Sequence, residues 1–358
     1  MRRRALLGGV SAAALTTACK PGTPILPIAP AFQWNMVTSW SADFPGLNTG
    51  AIALAERITQ MSGGRLKIKV HAADELVPAF EVFDAVAAGT AEMAHSCSYY
   101  WSGKSPAAAF FASVPFGMNA QESNAWLYRG GGLELWRELY ALFGLRPFPA
   151  GNTGAQMAGW FKQPIRSLRS LRGLKMRIPG LGAVVFEKLG GIAQSVPGKD
   201  LIAALASGTL DAAEWLGPHH DLEFGLHQVA GYYYYPSWQE PACTLECVIN
   251  QKAFEGLPAD LQAIIETACS AVNNEILAEY TALNHQALGV LINEHKIEVR
   301  RLPEDVLTGL RHAAETTIAE LARKDAFTKR VVDSYTDFRE QTKQWHRISE
   351  QAFYAARG

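Results

Sequence analysis

The stretch AALASGTLDAAEWLGP, Ala203 to Pro218, decides how this chain is read. Its first half is a small-residue helix, and Gly208 stands just past the helix end, where a left-handed backbone favours glycine. A short apolar strand follows and ends in an acid, Glu214, with Trp215 and a Gly-Pro pair directly behind. A carboxylate at the end of a buried strand is costly without a partner, so the rest of the chain, or something bound to it, has to supply positive charge. The same pattern stands 119 residues earlier: DAVAAGTAEMAH (Asp84 to His95) aligns with AALASGTLDAAE (Ala203 to Glu214) through helix, Gly-Thr, acid and small strand. Any helix-to-strand turn of an α/β protein shares part of this pattern. Read as a true repeat, it predicts two similar α/β lobes with His95 and Glu214 at equivalent strand ends. Ligands of open α/β sheets gather outside the carboxyl ends of the strands, so two facing lobes place both ends in one cleft.

Outward from these units the chain keeps the same rhythm. FQWNMVTSW from Phe32 is a strand by composition, NTGAIALAERITQMSGG a helix stopped by glycines, and RLKIKVH an alternating strand, which together make a β-α-β opening. PAGNTGAQMAGWF is strand-like and opens the second lobe. LRGLKMRIPG is a strand that carries Arg177 before a Pro-Gly turn, AVVFEKLGG a short helix, and TLECVIN a strand that returns to the first lobe. Apolar residues at helical spacing from Ala259 to about Glu294 predict one helix of roughly 54 Å. That is longer than a lobe, so it braces both or engages a second subunit. The remainder to Ala356 reads as further amphipathic helices. The predicted units are residues 1–31 as signal and linker, 32–150 with about 241–258 as lobe I, 151–240 as lobe II, and 259–358 as the spanning helix and C-terminal helices.

At 358 residues and 48% hydrophobic composition the chain holds enough apolar surface for two globular lobes. Arg2, Arg3 and Arg4 followed by the apolar run Ala5 to Leu15 form the charged and hydrophobic regions of an export signal. They suit the twin-arginine route and the general secretory route alike. Cleavage after Ala31 leaves Ala29 and Ala31 where a peptidase reads small residues. Cys19 in LTTACK offers a lipid-anchored alternative, weaker because Thr16 replaces the leucine of such boxes. Removing the four bases of residues 1–31 from a net charge of −1 leaves −5. A mildly acidic mature protein argues against nucleic acid and anionic membrane surfaces as partners. Cys97, Cys243, Cys247 and Cys269 read as buried small apolar side chains, with a single bridge among them as the alternative. Cys243 and Cys247, about 13 Å apart along one strand, are too distant for a disulfide.

Arg177 is the strongest site candidate, because a guanidinium at a strand end grips a carboxylate with two parallel hydrogen bonds. Gln156 and Glu214 offer oxygens of the kind hard cations take. Trp40, Tyr99, Tyr100, Trp101, Trp160, Trp215, Trp238 and Tyr232 to Tyr235 are a heavy aromatic load of the kind that lines small-ligand pockets. GLGAVV imitates a dinucleotide fingerprint but has Val185 at the third glycine. His219, His220, Cys243 and Cys247 match no zinc spacing. No G-x-S-x-G, phosphate loop or H-E-x-x-H occurs, so an enzyme reading is left with Glu214 as a general base in a secreted α/β enzyme.

Taken together, ELVPAFEVFDAVAAGTAEMAH, FFASVPFGM, GNTGAQMAGWF, LRGLKMRIPG, GKDLIAALASGTLDAAEWLGP and YYYYPSWQEP resemble the periplasmic solute-binding proteins of tripartite ATP-independent (TRAP) transporters. They cover most of Phe32 to about Asn250 in the family's order. The resemblance is to the branch that binds 2-oxo acids such as pyruvate, with binders of lactate and other 2-hydroxy acids close by. It implies a non-enzymatic, two-lobed periplasmic binding protein fold (type II-like), with a long helix across both lobes, that delivers a small carboxylate to TRAP membrane subunits. It further implies that Arg177 holds the substrate carboxylate, and that Gln156, Glu214 and the backbone oxygen of Trp215 hold a sodium or calcium ion touching the substrate. Either Glu240 or its neighbour Gln239 is a further ligand. Gln156, Trp215, Glu240, Tyr99, Tyr100, His95 and Asn152 are the other expected substrate contacts. Ala158 and Ala183 stand where the branch favours glycine. On this reading a bound cation, and not an arginine, is the partner of Glu214. A homodimer through the C-terminal helices is left open.

Overall fold

The computed structural model describes residues 32–42 and 44–358. The export signal, its cleavage site and Cys19 lie outside the described residues. Two sheets organise the chain.

The first grows from the β-α-β opening. Strand β1 (Phe32–Thr38), helix α1 (Asn48–Met61) and strand β2 (Leu66–His71) are followed by helix α2 (Val82–Ala87) and strand β3 (Met93–Ser96). The three strands run parallel. After β3 the chain makes a tight 3-10 turn, Ser98–Trp101, then helices α3 (Ala120–Arg129) and α4 (Gly132–Ala141) and strand β4 (Leu145–Asn152).

Beyond a loop at 153–158 the chain leaves for the second sheet. Strands β5 (Gly159–Phe161) and β6 (Lys175–Arg177), helix α5 (Gly180–Lys188), strand β7 (Ile192–Gln194), helix α6 (Gly198–Ser207), strand β8 (Ala212–Ala213), helix α7 (Pro218–Glu223) and strand β9 (Tyr232–Tyr235) follow in order. Strand β10 (Thr244–Asn250) then returns and inserts between β3 and β4, antiparallel to both, which completes the order β2-β1-β3-β10-β4. Helices α8 (Gln251–Glu255) and α9 (Ala259–Asn293) follow. A strand not expected from the sequence, β11 (Glu298–Arg301), then pairs with β9 and closes the second sheet in the order β11-β9-β5-β8-β6-β7. Helices α10 (Glu304–Leu321), α11 (Ala326–Ile348) and α12 (Glu350–Arg357) end the chain.

The fold is thus α/β with two lobes, each built on one sheet. The repeated units fold alike: α2 and α6 are each followed by a glycine in the left-handed region, Gly89 at φ 78° and Gly208 at φ 79°, and then by β3 and β8. Helix α9 is continuous for 35 residues, about 52 Å. Its Leu261, Ile265, Val272 and Ile276 join the core of the first lobe, and Leu291 joins a core of the second. One helix therefore stiffens the back of both. Helix α10 packs Val306, Leu307 and Leu310 into the second lobe, and α11 brings Val331, Val332 and Tyr335 back to the first. Among the described residues no helix is long and apolar enough to cross a membrane.

Candidate functional site

Arg177 is the last residue of β6, and Glu214 directly follows β8, the parallel neighbour of β6. Both carboxyl ends point into the space between the lobes. Arg177 Nη1 donates to the backbone oxygen of Glu214 at 2.7 Å and to Glu214 Oε2 at 3.0 Å. Its guanidinium lies over the Trp215 ring, 4.7 Å from the centroid. That indole is in turn held flat against Phe224, with ring centroids 5.0 Å apart. The expectation that no arginine partners Glu214 is therefore corrected: the register of two parallel strands brings the ion pair together. The pair leaves Glu214 Oε1 and Arg177 Nε buried without a partner.

Gln156 comes from the loop between β4 and β5. Its Nε2 donates to Thr153 Oγ1 at 3.1 Å and to Glu240 Oε2 at 2.9 Å, and its Oε1 is buried with no partner. Glu240 and Gln239 lie on the segment that leads from β9 back to β10. Gln239 Nε2 is spent on the Met157 backbone oxygen at 2.8 Å, while its Oε1 is also unpartnered. Among the described residues no three His, Cys, Asp or Glu side chains are arranged to hold a metal ion by themselves. A cation placed here would meet two carboxylates together with amide and backbone oxygens, a donor set that suits sodium or calcium better than a transition metal.

Burial is the main force on both acids. It raises the Glu214 carboxyl well above the usual range, with repulsion from Glu240 adding to it and Arg177 opposing it. Burial also pushes Glu240 up to about 7 against the attraction of Arg177 and the bond from Gln156. Arg177 itself is disfavoured by burial, but the fields of Glu214, the tyrosines and Glu240 outweigh this and keep it charged. With both carboxyls ionised, as a bound cation would require, two carboxylates, one guanidinium and an incoming monocarboxylate would add up to a net −2 in a dry site. A monovalent or divalent cation removes part or all of that charge.

The first lobe supplies the apolar wall. Tyr99 and Tyr100 sit on the tight turn after β3, and with Trp40, Leu47 and Leu245 they face Thr153, Arg177, Trp215 and Leu216. The cavity between these groups measures about 20 Å³, room for about one water molecule. A wider hollow of about 330 Å³ lies outside the two tyrosines, between Phe80 and Ser102 on one side and Pro179 and Ala183 on the other. A Cβ at Gly180 would stand 3.3 Å from the Tyr99 side chain, so the Pro-Gly turn after Arg177 lets the lobes meet closely.

His95 and Asn152 differ from the contacts expected of them. His95 accepts from Trp40 Nε1 at 2.8 Å through Nδ1 and meets the Ala150 backbone oxygen at 3.0 Å through Nε2. Burial holds its pKa down to about 4. The ring is a neutral strut that fixes Trp40, with no nitrogen left for a ligand. Asn152 accepts from Gly154 N at 2.9 Å and shapes the loop that carries Gln156. Ala158 lies in the core of the second lobe, away from the cleft.

Sequence reasoning missed Thr153, Leu216 and Asp221. Asp221, on α7, accepts from Trp160 Nε1 at 2.8 Å, the Tyr233 hydroxyl at 2.6 Å and Leu216 N at 3.2 Å, and so holds the Trp215–Leu216 loop in place. Its only signal was an acid behind two histidines in GPHHD. Burial pushes its carboxyl up to about 6.

Residues 36–325 match the family model DctP, bacterial extracellular solute-binding protein, family 7. The chain is 43% identical to the monocarboxylate 2-oxoacid-binding periplasmic protein of Nostoc sp. over 99% of this chain and 98% of that one. It is 40% identical to the TRAP periplasmic solute-binding protein of Pseudoalteromonas atlantica T6c, solved with sodium and pyruvate, at a TM-score of 0.88 over 90% of this chain and 98% of that one. It is 37% identical to the TRAP solute-binding protein of Bordetella bronchiseptica RB50, at a TM-score of 0.89 over 91% of this chain and 97% of that one. That protein was solved as a mixed-occupancy dimer with copurified calcium and picolinate in one active site. The chain belongs to the DctP family, the extracytoplasmic solute receptors of TRAP transporters, which are binding proteins and not enzymes.

Proposed function

We propose that this receptor binds a small 2-oxo monocarboxylate of pyruvate size together with a sodium or calcium ion. The observation that carries the reading is the set of buried, unpartnered oxygens, Gln156 Oε1 and Glu214 Oε1, beside Arg177 and Glu240. Such atoms are costly to bury without a positive partner. A cation on them presents a positive face to a carbonyl oxygen, while Arg177 takes the carboxylate. Gln156, Glu214, Glu240 and the Trp215 backbone oxygen are the proposed metal ligands, and Gln156 and Glu240 reach the substrate from the same cluster. Tyr99, Tyr100 and Trp215 cover the ligand's apolar flank, with His95 and Asn152 acting one layer behind. The sodium- and pyruvate-bound relative supports the pairing of metal and acid.

The lobes part to admit the ligand, because a cavity of about 20 Å³ holds no three-carbon acid. The hinge is formed by the loop at 153–158, the segment 236–243 and the long helix α9, which supports the expected lobe boundaries. Arg2 to Leu15 is read as the export signal, on the twin-arginine or general secretory route, with cleavage after Ala31 or, as the weaker alternative, a lipid anchor at Cys19. On α11, Trp345 and Ile348 are 59% and 74% exposed, and on α12 Phe353 and Tyr354 are exposed as well. This apolar face is where we place a homodimer contact, in keeping with the dimeric relative.

The test is mass spectrometry of small molecules released from the purified, denatured receptor, followed by calorimetry with pyruvate, longer 2-oxo acids and lactate. Pyruvate is expected to bind more tightly than lactate, because a carbonyl oxygen offers the cation its lone pairs without a hydroxyl proton to place. Equal or tighter lactate binding overturns the 2-oxo assignment. Conversion of the acid during incubation overturns the receptor reading.

A further inference from the structure

Behind the aromatic wall two cysteines meet. Cys97 directly precedes the turn that carries Tyr99 and Tyr100, and Cys243 directly precedes β10, where the chain re-enters the first lobe from the hinge. Their sulfurs are 3.1 Å apart across 146 residues of sequence, closer than two sulfurs approach in ordinary contact and about 1 Å beyond a bond. Both side chains are buried. Cys243 is fixed from its backbone, donating to Thr153 Oγ1 at 3.1 Å, and it faces the cleft cavity. Cys247 on β10 and Cys269 on α9 form a second contact, but both lie in the core of the first lobe and neither lines that cavity.

We propose that Cys97 and Cys243 form a disulfide in the exported receptor and so tie the tyrosine turn to the strand that leaves the hinge. The inference rests on the chain's export to an oxidising compartment and not on which acid it binds. Burial raises both thiols in the closed form, so the reaction belongs to folding or to the open cleft, where Cys243 meets solvent. The oxidant is a disulfide carrier of that compartment, protein or small molecule. The Cys243 thiolate attacks the carrier's disulfide and releases one carrier thiol. The Cys97 thiolate then attacks the Cys243 sulfur, forming the new bond and releasing the second carrier thiol. The two protein thiols give up two electrons and two protons, which leave on the reduced carrier.

The experiment uses the full chain exported from cells, denatured without reductant, alkylated, digested and mapped by mass spectrometry. The expected result is one Cys97–Cys243 cross-linked peptide pair, 2 Da below the sum of its reduced parts, with Cys247 and Cys269 alkylated. Reduction of the intact wild-type receptor is expected to lower its thermal midpoint by roughly 5 °C. The midpoint of Cys97→Ser is expected not to respond to reductant, and Cys243→Ser provides the same control should the first variant fold poorly. Alkylation of both Cys97 and Cys243, in the exported protein and again after incubation of the ligand-free protein with oxidised glutathione, overturns the proposal. A Cys247–Cys269 cross-link in place of the expected one overturns it as well.

Discussion

Arg177 serves two partners with one guanidinium, and that sets the chemistry of the site. It neutralises Glu214 through Nη1 and lies flat on Trp215, a geometry that a lysine's point charge does not reproduce. Arg177→Lys is expected to fold, because the charge opposite Glu214 is kept, and to lose roughly 10- to 100-fold in keto-acid affinity with the forked contact gone. Wild-type affinity by calorimetry would remove Arg177 from the carboxylate site. Glu246 offers a second test at this scale. It is buried on β10, where Oε1 accepts from Trp101 Nε1 at 2.6 Å and Oε2 from the Tyr140 hydroxyl at 2.7 Å, and burial pushes its carboxyl up to about 7. A carboxyl raised on folding contributes its full stability below its unfolded pKa, near 4.5, and loses that contribution as pH rises through about 7. Glu246→Gln is therefore expected to gain about 3 kcal/mol on the wild type between pH 4.5 and pH 8 in denaturant titrations. A stability difference that does not change across that range would mean the acid is charged throughout. Residue type marked Arg177, Gln156 and Glu214 as candidates in the sequence, and strand-end position singled out Arg177 and Glu214. Their pairing was not, because which of two parallel strands lies beside the other, and in what register, is fixed only by the packed sheet.

The elements behave as the repeat implied, with one informative exception. Strong helical periodicity located α9 to within a residue, and the glycine stops located α2 and α6. Strand β11 went unread because EVRR (Glu298 to Arg301) alternates weakly and is held by pairing with β9, a contact made across more than sixty residues. His95 shows the limit of reading function from a repeat: β3 and β8 are equivalent, yet His95 bonds inward to Ala150 whereas Glu214 is buried against Arg177, which lines the cleft cavity. Between elements, Lys199 on α6 reaches Asp74 beyond β2 at 2.8 Å, joining the lips of the two lobes. Both residues are exposed, so the pair is a weak latch. Lys199→Ala is expected to weaken ligand affinity by about twofold, and the difference from wild type is expected to vanish as salt rises toward roughly 1 M. A loss that is large or insensitive to salt would make Lys199 part of the binding site itself.

On the proposed function the whole molecule is a hinged clamp, braced by the long helix α9. Two sheets whose strand ends converge, a buried charge cluster between them and an aromatic wall leave a cavity too small for a ligand unless the lobes move. Small-angle scattering of the ligand-free receptor is expected to show a larger radius of gyration than the saturated one, and identical profiles would contradict a hinge. Trp345→Glu combined with Ile348→Glu is expected to convert the proposed dimer to a monomer in sedimentation, with ligand affinity unchanged. A wild type that sediments as a monomer would remove the dimer. The central claim is that metal and substrate share the site. Since two ligands in contact must strengthen each other's binding by the same factor, that claim reduces to one titration: a 2-oxo acid into chelator-treated receptor in sodium-free buffer, repeated with sodium and with calcium, for the wild type and for Glu214→Gln. Affinity is expected to rise at least tenfold with one of the two ions in the wild type, and most of that gain is expected to be lost in Glu214→Gln. Equal affinity under all three conditions in both proteins would contradict it and leave Glu214 as no more than the ion-pair partner of Arg177.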